Sequence, residues 1–241
     1  MKKPTKVKRA ERVNYPWPKD LIKAFPPHRP GPLERKLTKL LDATNDEREI
    51  HSFLKKNDFL VGMAFHSNSH PHAVVSEFEL GAEFRCDFLV LSCCSAWWTA
   101  DFVELEPPNA RLYLKDRTPS KRLRIATRQI RDWNQWIRKN EAYFRERLSD
   151  LFERIKLPAS GAMRVPDAAT EVRDPHCLLI HYFHIVIGRR DRLSPSERRT
   201  KAEESLSAGV KLATYDRLVD AARRYDQSDD FNKKGFRYRK G

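Results

Sequence analysis

The sequence predicts an α/β domain, a mixed sheet flanked by helices with a helix–strand–helix addition at its C-terminal end. Three short β-prone segments follow one another between residues 73 and 106, with links short enough for antiparallel hairpins. Residues 118–155 then repeat apolar side chains every three or four positions, as an amphipathic helix does. The segment Ser194-Pro-Ser-Glu197 combines a capping box with proline at the first helical position, which indicates that a further helix begins there.

The other helices are predicted in the same way. Residues 33–41 repeat leucine at helical spacing. Thr44-Asn-Asp-Glu47 has the form of a capping box, so a second helix is expected from there to about Asp58. The long helix begins at Thr118-Pro-Ser120, and we expect it to continue to about Ile155. Asp216–Arg224 is predicted as the last helix.

Alternation of side chains predicts the first two strands. In Ala73–Leu80 one face is expected to carry the apolar residues and the other the acidic ones. The apolar set is Val74, Phe78 and Leu80, and the acidic set is Glu77 and Glu79. A tight turn at Gly81-Ala82 leads to the second strand, Phe84–Leu91.

The remaining strands are marked by apolar runs between turn residues. Ser92–Ala100 is expected to turn the chain into the third strand, Asp101–Glu106, which two prolines end. Pro158–Pro175 is predicted as an irregular linker. Cys177–Ile187 is apolar enough to be a buried strand, and Val210–Thr214 is a short strand of the C-terminal addition.

Composition limits the class of protein. The chain has 241 residues, 40% hydrophobic and 33% charged, which suits one domain with a real core. No apolar run approaches the roughly 20 residues of a membrane helix, and no secretory signal is recognisable, so we expect a cytoplasmic protein without a membrane partner. The four cysteines show no CxxC spacing, which favours reduced thiols.

Basic residues outnumber acidic residues, and they concentrate at the two ends. The net charge is 47 − 33 = +14. We divide the chain into a basic, proline-rich arm (1–32), the α/β domain (33–226) and a basic tail (227–241). Such an excess favours a polyanionic partner, because each phosphate contact releases counterions.

Three acidic residues fall in or beside apolar strands. Asp87 lies within Phe84–Leu91, and Glu104 and Glu106 are two positions apart, which directs them to the same face of a strand. Carboxylates in apolar strands carry a desolvation cost unless a positive charge compensates. Mg²⁺ prefers such oxygen ligands and activates water beside a phosphate. The alternative is that both glutamates form the solvated side of an edge strand; the pattern alone leaves the two interpretations open.

Several blocks of the sequence resemble the Shedu anti-phage defence nucleases. The blocks occur in family order over about residues 45–222. They are Glu49–Asn57, Val75–Gly81, Arg85–Val90, Asp101–Pro108, Ala126–Trp133, Ile185–Arg189 and Lys211–Leu218. No single block is very specific, but the ordered set is.

The resemblance implies a PD-(D/E)xK nuclease-like fold and Mg²⁺-dependent cleavage of phage or plasmid DNA, with Mn²⁺ expected to substitute. It also implies a homo-oligomer, a dimer or tetramer. By matching positions, Asp87 and Glu104 would bind the metal, and Gln129 would complete the active site. Glu77 or Glu79 could add a carboxylate from the first strand.

Two departures from the family pattern matter. Glu106 stands in the place of the motif lysine, so the chain is expected to be either a nuclease with an all-carboxylate metal site or a catalytically impaired DNA-binding or scaffold protein on the same fold. A nuclease acting on RNA is a third possibility. The family usually carries an N-terminal regulatory region, where this sequence is expected to have only the short basic arm.

Other candidate residues have simpler explanations. His66, His70 and His72 could bind zinc, but a polar surface loop is the preferred interpretation, because structural zinc takes four ligands. Cys86 is expected to be a core thiol. Trp97-Trp98 is predicted at a hairpin tip, where it could contact a partner.

Basic residues after the fourth strand could grip phosphates. They are Arg189, Arg190, Arg192, Arg198 and Arg199. The alternative is the solvated start of a helix. Because Gly188-Arg189 and Thr214-Tyr-Asp216 belong to the family blocks, the resemblance implies a structural or oligomeric role for those two blocks rather than a catalytic one.

Overall fold

A five-stranded mixed sheet with helices on both faces organises the protein. The computed structural model describes residues 30–67, 70–94, 97–155, 168–207 and 209–227. The predicted arm lies outside the described residues except for residues 30–32, and the predicted tail except for residue 227. Within the described ranges no helix combines the length and apolarity needed to cross a membrane.

Among the described elements, three helices precede the first three strands, and helices separate the later strands. The helices are α1 (Pro32–Ala43), α2 (Glu47–Lys56), α3 (Phe59–Phe65), α4 (Lys121–Lys139), α5 (Glu141–Ile155), α6 (Ala168–Arg173), α7 (Pro195–Ser207) and α8 (Asp216–Gln227). The strands are β1 (His70–Leu80), β2 (Phe84–Cys94), β3 (Trp97–Leu105), β4 (Leu178–Val186) and β5 (Val210–Ala213).

The strands lie in chain order across the sheet, β1-β2-β3-β4-β5. The pairs β1–β2 and β2–β3 are antiparallel, as predicted from their short links. The pairs β3–β4 and β4–β5 are parallel, and helices make the long return connections that parallel strands require. The predicted mixed sheet and the C-terminal helix–strand–helix addition are therefore confirmed.

Each face of the sheet has its own apolar core. On one face, Phe102 of β3 packs against Trp133 of α4 and Phe144 of α5, with ring centroids 6.5 and 5.8 Å apart. On the other face, Phe88 and Val103 join a cluster formed by α1, α2, α3 and α8. The two cores place α2 and α4 on opposite sides of the same strands.

The predicted long helix is two helices. Ser120 Oγ accepts a hydrogen bond from Leu123 N and caps α4, as expected from the sequence. At Asn140 the backbone leaves the helical conformation, and the Asn140 side chain donates to Trp136 O at 2.9 Å. This local hydrogen bond competes with helix continuation, so α5 starts anew at Glu141.

The prediction that Val74, Phe78 and Leu80 share one face is wrong. Val74 packs in the core beside α2 and α3, whereas Phe78 and Leu80 pack in the core beside α4. Glu77 lies between them with φ of +55°, in the left-handed region. This distortion changes the phase of side-chain alternation within β1.

The second hairpin is tighter than predicted. Ser92–Ala100 was expected to be a connection, but strand pairing reaches Cys94 and resumes at Trp97. A buried hydrogen bond of 2.6 Å between the hydroxyls of Ser92 and Thr99 explains how these polar residues fit a strand. Trp98 is 1% exposed and packs on Phe152, so the predicted partner contact is wrong for Trp98, whereas Trp97 is exposed.

Two helices were not predicted, and one cap was placed two residues early. α3 follows α2 directly, and α6 lies within the predicted linker Pro158–Pro175. Asp46, rather than Thr44, caps α2 by accepting from Arg48 N at 2.9 Å. The capping box of α7 is confirmed, since Ser194 N donates to the Glu197 carboxylate and Glu197 N donates to Ser194 Oγ.

The charged side chains of Arg145 and Asp226 hydrogen-bond the later segments to the rest of the domain. Arg145 of α5 is 6% exposed and donates to the backbone oxygens of Val172, Asp174 and Cys177, which ties α6 and β4 to α5. Asp226 accepts from the backbone N–H groups of Leu33 and Glu34, so α8 supplies the cap of α1.

His181 of β4 generates a test of the core. Its ring packs edge-on against Phe144, and burial lowers the pKa of His181 from 6.5 to about 4. As the pH falls from about 6.5 to about 4, His181 binds a proton in the unfolded chain but stays neutral in the folded chain. The free energy of unfolding should therefore fall across this window, by about 3 kcal/mol from this residue.

We expect His181→Phe to flatten the pH dependence of the free energy of unfolding between these two pH values. Urea denaturation at a series of pH values measures it. The exposed His176 offers a control, because His176→Gln should leave the wild-type slope unchanged. A slope that His181→Phe does not change would contradict the assignment.

Candidate functional site

Three acidic residues form one row across the first three strands. The β1–β2 register sets Glu77 opposite Asp87, and the β2–β3 register, continued one residue past the last pair Phe88–Val103, sets Asp87 opposite Glu104. The antiparallel hairpins therefore bring these three predicted residues to the same level of the sheet.

Asp87 is held by the neighbouring strand and faces a helix. Its Oδ2 accepts a hydrogen bond of 2.7 Å from Leu105 N. Its Oδ1 lies 3.8 Å from His51 Nε2 on α2. Burial raises the pKa of Asp87, against the opposing effect of the Leu105 N–H.

Glu104 is oriented by α4. Gln129 Nε2 donates a hydrogen bond of 2.8 Å to Glu104 Oε1, so the two residues expected to share the site are in contact. Burial raises the pKa of Glu104 well above its usual range, and the charges of Asp87, Glu47 and Glu106 add to the effect. Glu104 thus contacts α4, whereas Asp87 contacts α2. The two carboxylates are close enough at the end of the strands for the charge of Asp87 to raise the pKa of Glu104.

Glu106 is fixed through its backbone. Its N–H donates to Val186 O at 2.8 Å, and its carbonyl oxygen accepts 2.8 Å from the buried Tyr215 hydroxyl. The residue is 6% exposed, its Oε2 has no hydrogen-bond partner among the described residues, and the nearest cation is Arg122 at 3.7 Å. Burial raises the pKa of Glu106, with Arg122 opposing.

Two further residues were missed by the sequence analysis. Glu47 and His51 are one turn apart on α2, the spacing that puts side chains on the same helix face. Burial, followed by the charges of Asp87 and Glu106, raises the pKa of Glu47 to about 7. An acidic residue and a histidine four positions apart on an amphipathic helix could have signalled them, but Glu47 was assigned to a capping box.

Glu77 is engaged elsewhere. Its carboxylate forms an ion pair with Lys55 and lies 3.9 Å from Arg85. The hydrogen bond from Lys55 lowers the pKa of Glu77. Glu79 is exposed, and its strand partner is Arg85. Either carboxylate would have to leave these basic partners to reach a metal near Asp87.

A second buried aspartate, Asp101, differs from Asp87 in having two close hydrogen-bond partners. Asp101 of β3 is fully buried, and its Oδ1 contacts His184 Nε2 at 2.7 Å and Ser67 Oγ at 2.6 Å. Among the described residues, no histidine lies within hydrogen-bonding distance of Asp87 or Glu104. The carboxylate site is therefore less compensated by direct contacts than Asp101 is.

The donor set suits a hard divalent cation. Glu47, Asp87, Glu104 and Glu106 offer carboxylate oxygens in a partly buried space, where a cation would offset both desolvation and mutual repulsion. Within the described ranges, however, no three His, Cys, Asp or Glu side chains already stand in the arrangement of a metal site.

The other predicted candidates have structural roles. Cys86 is fully buried in the core, as expected, and burial raises the pKa of its thiol. Cys86 and Cys177 are free thiols. His66 Nδ1 lies 2.8 Å from Gly62 O, and the side chains of His70 and His72 lie outside the described residues. Trp133 is a fully buried core residue of α4.

The basic segment after β4 is partly structural. Arg189 contacts Asp42 at 2.8 Å and Asp216 at 3.4 Å. Gly188 has φ of +66°, and a Cβ there would lie 2.6 Å from Ala110 O, so this close approach requires glycine. These contacts are consistent with the structural role expected of the blocks Gly188-Arg189 and Thr214-Tyr-Asp216.

Comparison with protein families gives one match. Residues 44–219, more than two thirds of the chain, match the family described as Shedu protein SduA, C-terminal. A search of curated proteins gives no match.

The crowding of carboxylates has a measurable consequence for stability. We expect Glu104→Gln, which keeps an oxygen to accept from Gln129, to raise the free energy of unfolding by about 1 kcal/mol in EDTA, because glutamine avoids the cost of holding a buried carboxyl group protonated far above its ordinary pKa. That gain corresponds to a rise in Tm of roughly 2–4 °C. Mg²⁺ should raise the Tm of the wild type more than that of the variant.

Thermal unfolding with EDTA and with Mg²⁺ measures both effects. Glu79→Gln, an exposed carboxylate of the same sheet, is the control and should behave as the wild type. No gain in EDTA, or an equal Mg²⁺ response of wild type and Glu104→Gln, would count against a strained carboxylate site.

Proposed function

The chain belongs to the Shedu family, and on that premise we propose that it is a metal-dependent DNA endonuclease or nickase of anti-phage defence. The observation that carries the proposal is the group of carboxylates at the end of β2 and β3, where burial and the charge of Asp87 raise the pKa of Glu47, Glu104 and Glu106 in a partly buried space. Placing these charges together costs stability, and cation binding is the function that explains the cost.

We infer a PD-(D/E)xK type of fold for this domain. The inference is supported by an antiparallel hairpin that carries an acidic residue on each strand, followed by a helix whose glutamine contacts the second of them. The parallel strand β4 then completes the sheet beside β3. The same elements carry the family blocks of the sequence.

Each residue has a role that follows from its contacts. Asp87 and Glu104 would hold Mg²⁺ or Mn²⁺, which would polarise the scissile phosphate and lower the pKa of a bound water. Gln129 fixes the Glu104 carboxylate by donating to Oε1. Glu106, whose buried Oε2 accepts no hydrogen bond from the described residues, would share the cation or orient the water. Glu47 can accept or release a proton near neutral pH, since its pKa is about 7.

The place of the motif lysine is the weakest part of the assignment. Glu106 stands there, and the positive charge of the exposed Arg122 side chain lies 3.7 Å from its carboxylate. This arrangement favours the second candidate function, a DNA-binding or scaffold protein that does not cleave. The net charge of +14 supports a nucleic-acid partner under both functions. We propose a cytoplasmic homo-oligomer in either case.

Plasmid cleavage tests the proposal. Supercoiled plasmid incubated with the purified chain and Mg²⁺ or Mn²⁺ should convert to the nicked or linear form, and EDTA should prevent it. Asp87→Asn and Glu104→Gln should each lower the rate by at least about 100-fold, because each removes a charged metal ligand. Gel electrophoresis of the topological forms gives the rates.

Two controls define the outcome. Glu79→Gln removes an exposed carboxylate from the same sheet and should retain the wild-type rate. Metal-independent plasmid binding without nicking would support the scaffold function instead, and faster cleavage of RNA than of DNA would change the substrate class. Equal nicking by the wild type, Asp87→Asn and Glu104→Gln would reject this active site.

A further inference from the structure

A second cleft lies apart from the carboxylate site. It is formed by α3, the segment around Arg190–Leu193, α7, β5 and the first turns of α8, and its volume is about 890 Å³. None of Glu47, Asp87, Glu104 and Glu106 lines it. The volume is within the range of small-molecule sites, which hold ligands of nucleotide size.

The cleft is strongly positive. Five cationic residues line it, and Asp220 is the only carboxylate in its described lining, which leaves an excess of 5 − 1 = +4. The five are Arg190, Arg198, Lys201, Arg217 and Arg224. Because the described lining is so unbalanced, an anion is the expected ligand.

Most of these cations are bonded to neutral groups. Within the described residues, Arg198 donates to the backbone oxygens of Leu193 and Arg190, at 3.2 Å in each case. Lys201 Nζ donates to Leu212 O at 3.0 Å, and Arg217 Nε donates to Ala64 O at 2.7 Å. Backbone oxygens orient these side chains without neutralising them.

The remaining two cations differ from each other. Arg224 donates to Met63 O at 3.3 Å, another neutral partner. Arg190 contacts Asp220 at 2.5 Å, and Asp220 also lies 3.5 Å from Arg223, so one carboxylate is shared between two arginines. The Asp220 carboxylate therefore pairs with Arg190 and Arg223 and leaves the charges of the other cations in the cleft unneutralised.

The positive charges repel one another. Burial, followed by the charges of Arg217 and Arg190, lowers the pKa of Lys201. Partial burial and the charge of Arg224 lower the pKa of Arg217, whose guanidinium also lies 5.1 Å from the Phe65 ring. A polyanion in the cleft would relieve this repulsion and accept charge-assisted hydrogen bonds.

The cleft also has an apolar wall. Met63, Ala64, Leu193, Leu212 and Ala213 line it beside the cations. An inorganic anion would leave this wall unused, whereas an organic phosphate could place an uncharged part against it. Lys201 is half-buried, within reach of a small ligand, whereas the other four cations are exposed and accessible also to the phosphates of a DNA duplex.

From this geometry we propose that the cleft binds a small organic phosphate with at least two negative charges, such as a nucleotide, as a site separate from the carboxylates. Arg198, Lys201, Arg217 and Arg224 bind the phosphate groups, and the wall around Leu193 and Leu212 receives the uncharged part. Two of the basic residues that follow β4 then have different roles. Arg189 stabilises the fold through Asp42 and Asp216, and Arg198 binds the ligand.

Isothermal titration of the full chain with ATP, ADP, AMP, adenosine and pyrophosphate tests the proposal. Affinity should increase with the number of phosphates, weaken with added salt, and be absent for adenosine. ADP should bind more tightly than pyrophosphate, which carries the same two phosphate groups without an uncharged part to place against the apolar wall. Arg198→Gln and Arg224→Gln should each weaken ATP binding by about tenfold or more, the usual effect of losing a charge-assisted hydrogen bond.

Arg199→Gln is the matched control. Arg199 is adjacent to Arg198 on α7 and carries the same charge, but it contacts Glu203 at 2.8 Å and does not line the cleft. Its variant should bind ATP within about twofold of the wild type. Thermal unfolding confirms that each variant is folded.

Three results would overturn the proposal: no binding of any phosphate ligand at millimolar concentration, equal weakening by Arg198→Gln and Arg199→Gln, or displacement of ATP by a short DNA duplex that itself depends on Arg198. The nuclease proposal is tested separately, because Glu104→Gln should bind ATP as the wild type does whether or not the wild type cleaves DNA.

Discussion

Mutual repulsion among partly buried carboxylates is the constraint around which this domain is arranged. Asp87 and Glu104 are placed opposite each other by the β2–β3 register, and α2 and α4 approach from the two faces of the sheet. The pKa values of Asp87, Glu104, Glu106 and Glu47 are all raised, with burial as the first cause. The surrounding contacts position the acidic groups without neutralising them: a backbone N–H for Asp87, and an amide for Glu104.

Much of this arrangement could be read from the sequence, because it depends on local patterns. The alternation of β2 and β3 identified Asp87 and Glu104, and the helical spacing of α4 identified its buried face, next to which Gln129 lies. The family resemblance was needed to add Gln129 to the site. The sequence could not separate Asp87 from Asp101, since both lie in apolar strands; only the fold shows that His184 and Ser67 serve Asp101.

The errors of sequence reasoning have a common physical origin in tertiary contacts. Glu77 adopts a left-handed backbone that no simple alternation anticipates, and the Ser92–Thr99 hydrogen bond makes strand residues out of a segment that resembles a turn. Glu47 satisfied a helix-start pattern, and its proximity to Asp87 arises only when α2 packs on the sheet. The cleft was equally hidden, because its lining joins residues more than 150 positions apart, from Met63 to Arg224.

The buried Tyr215 hydroxyl, which donates to Glu106 O, joins the C-terminal addition to the carboxylate site. Tyr215 lies between Thr214 and Arg217, both of which line the basic cleft. If a ligand in the cleft displaced this short segment, the hydrogen bond would carry the displacement to the backbone of Glu106. Coupling of this kind is reciprocal, so a cation bound by the carboxylates would change the affinity of the cleft by the same factor.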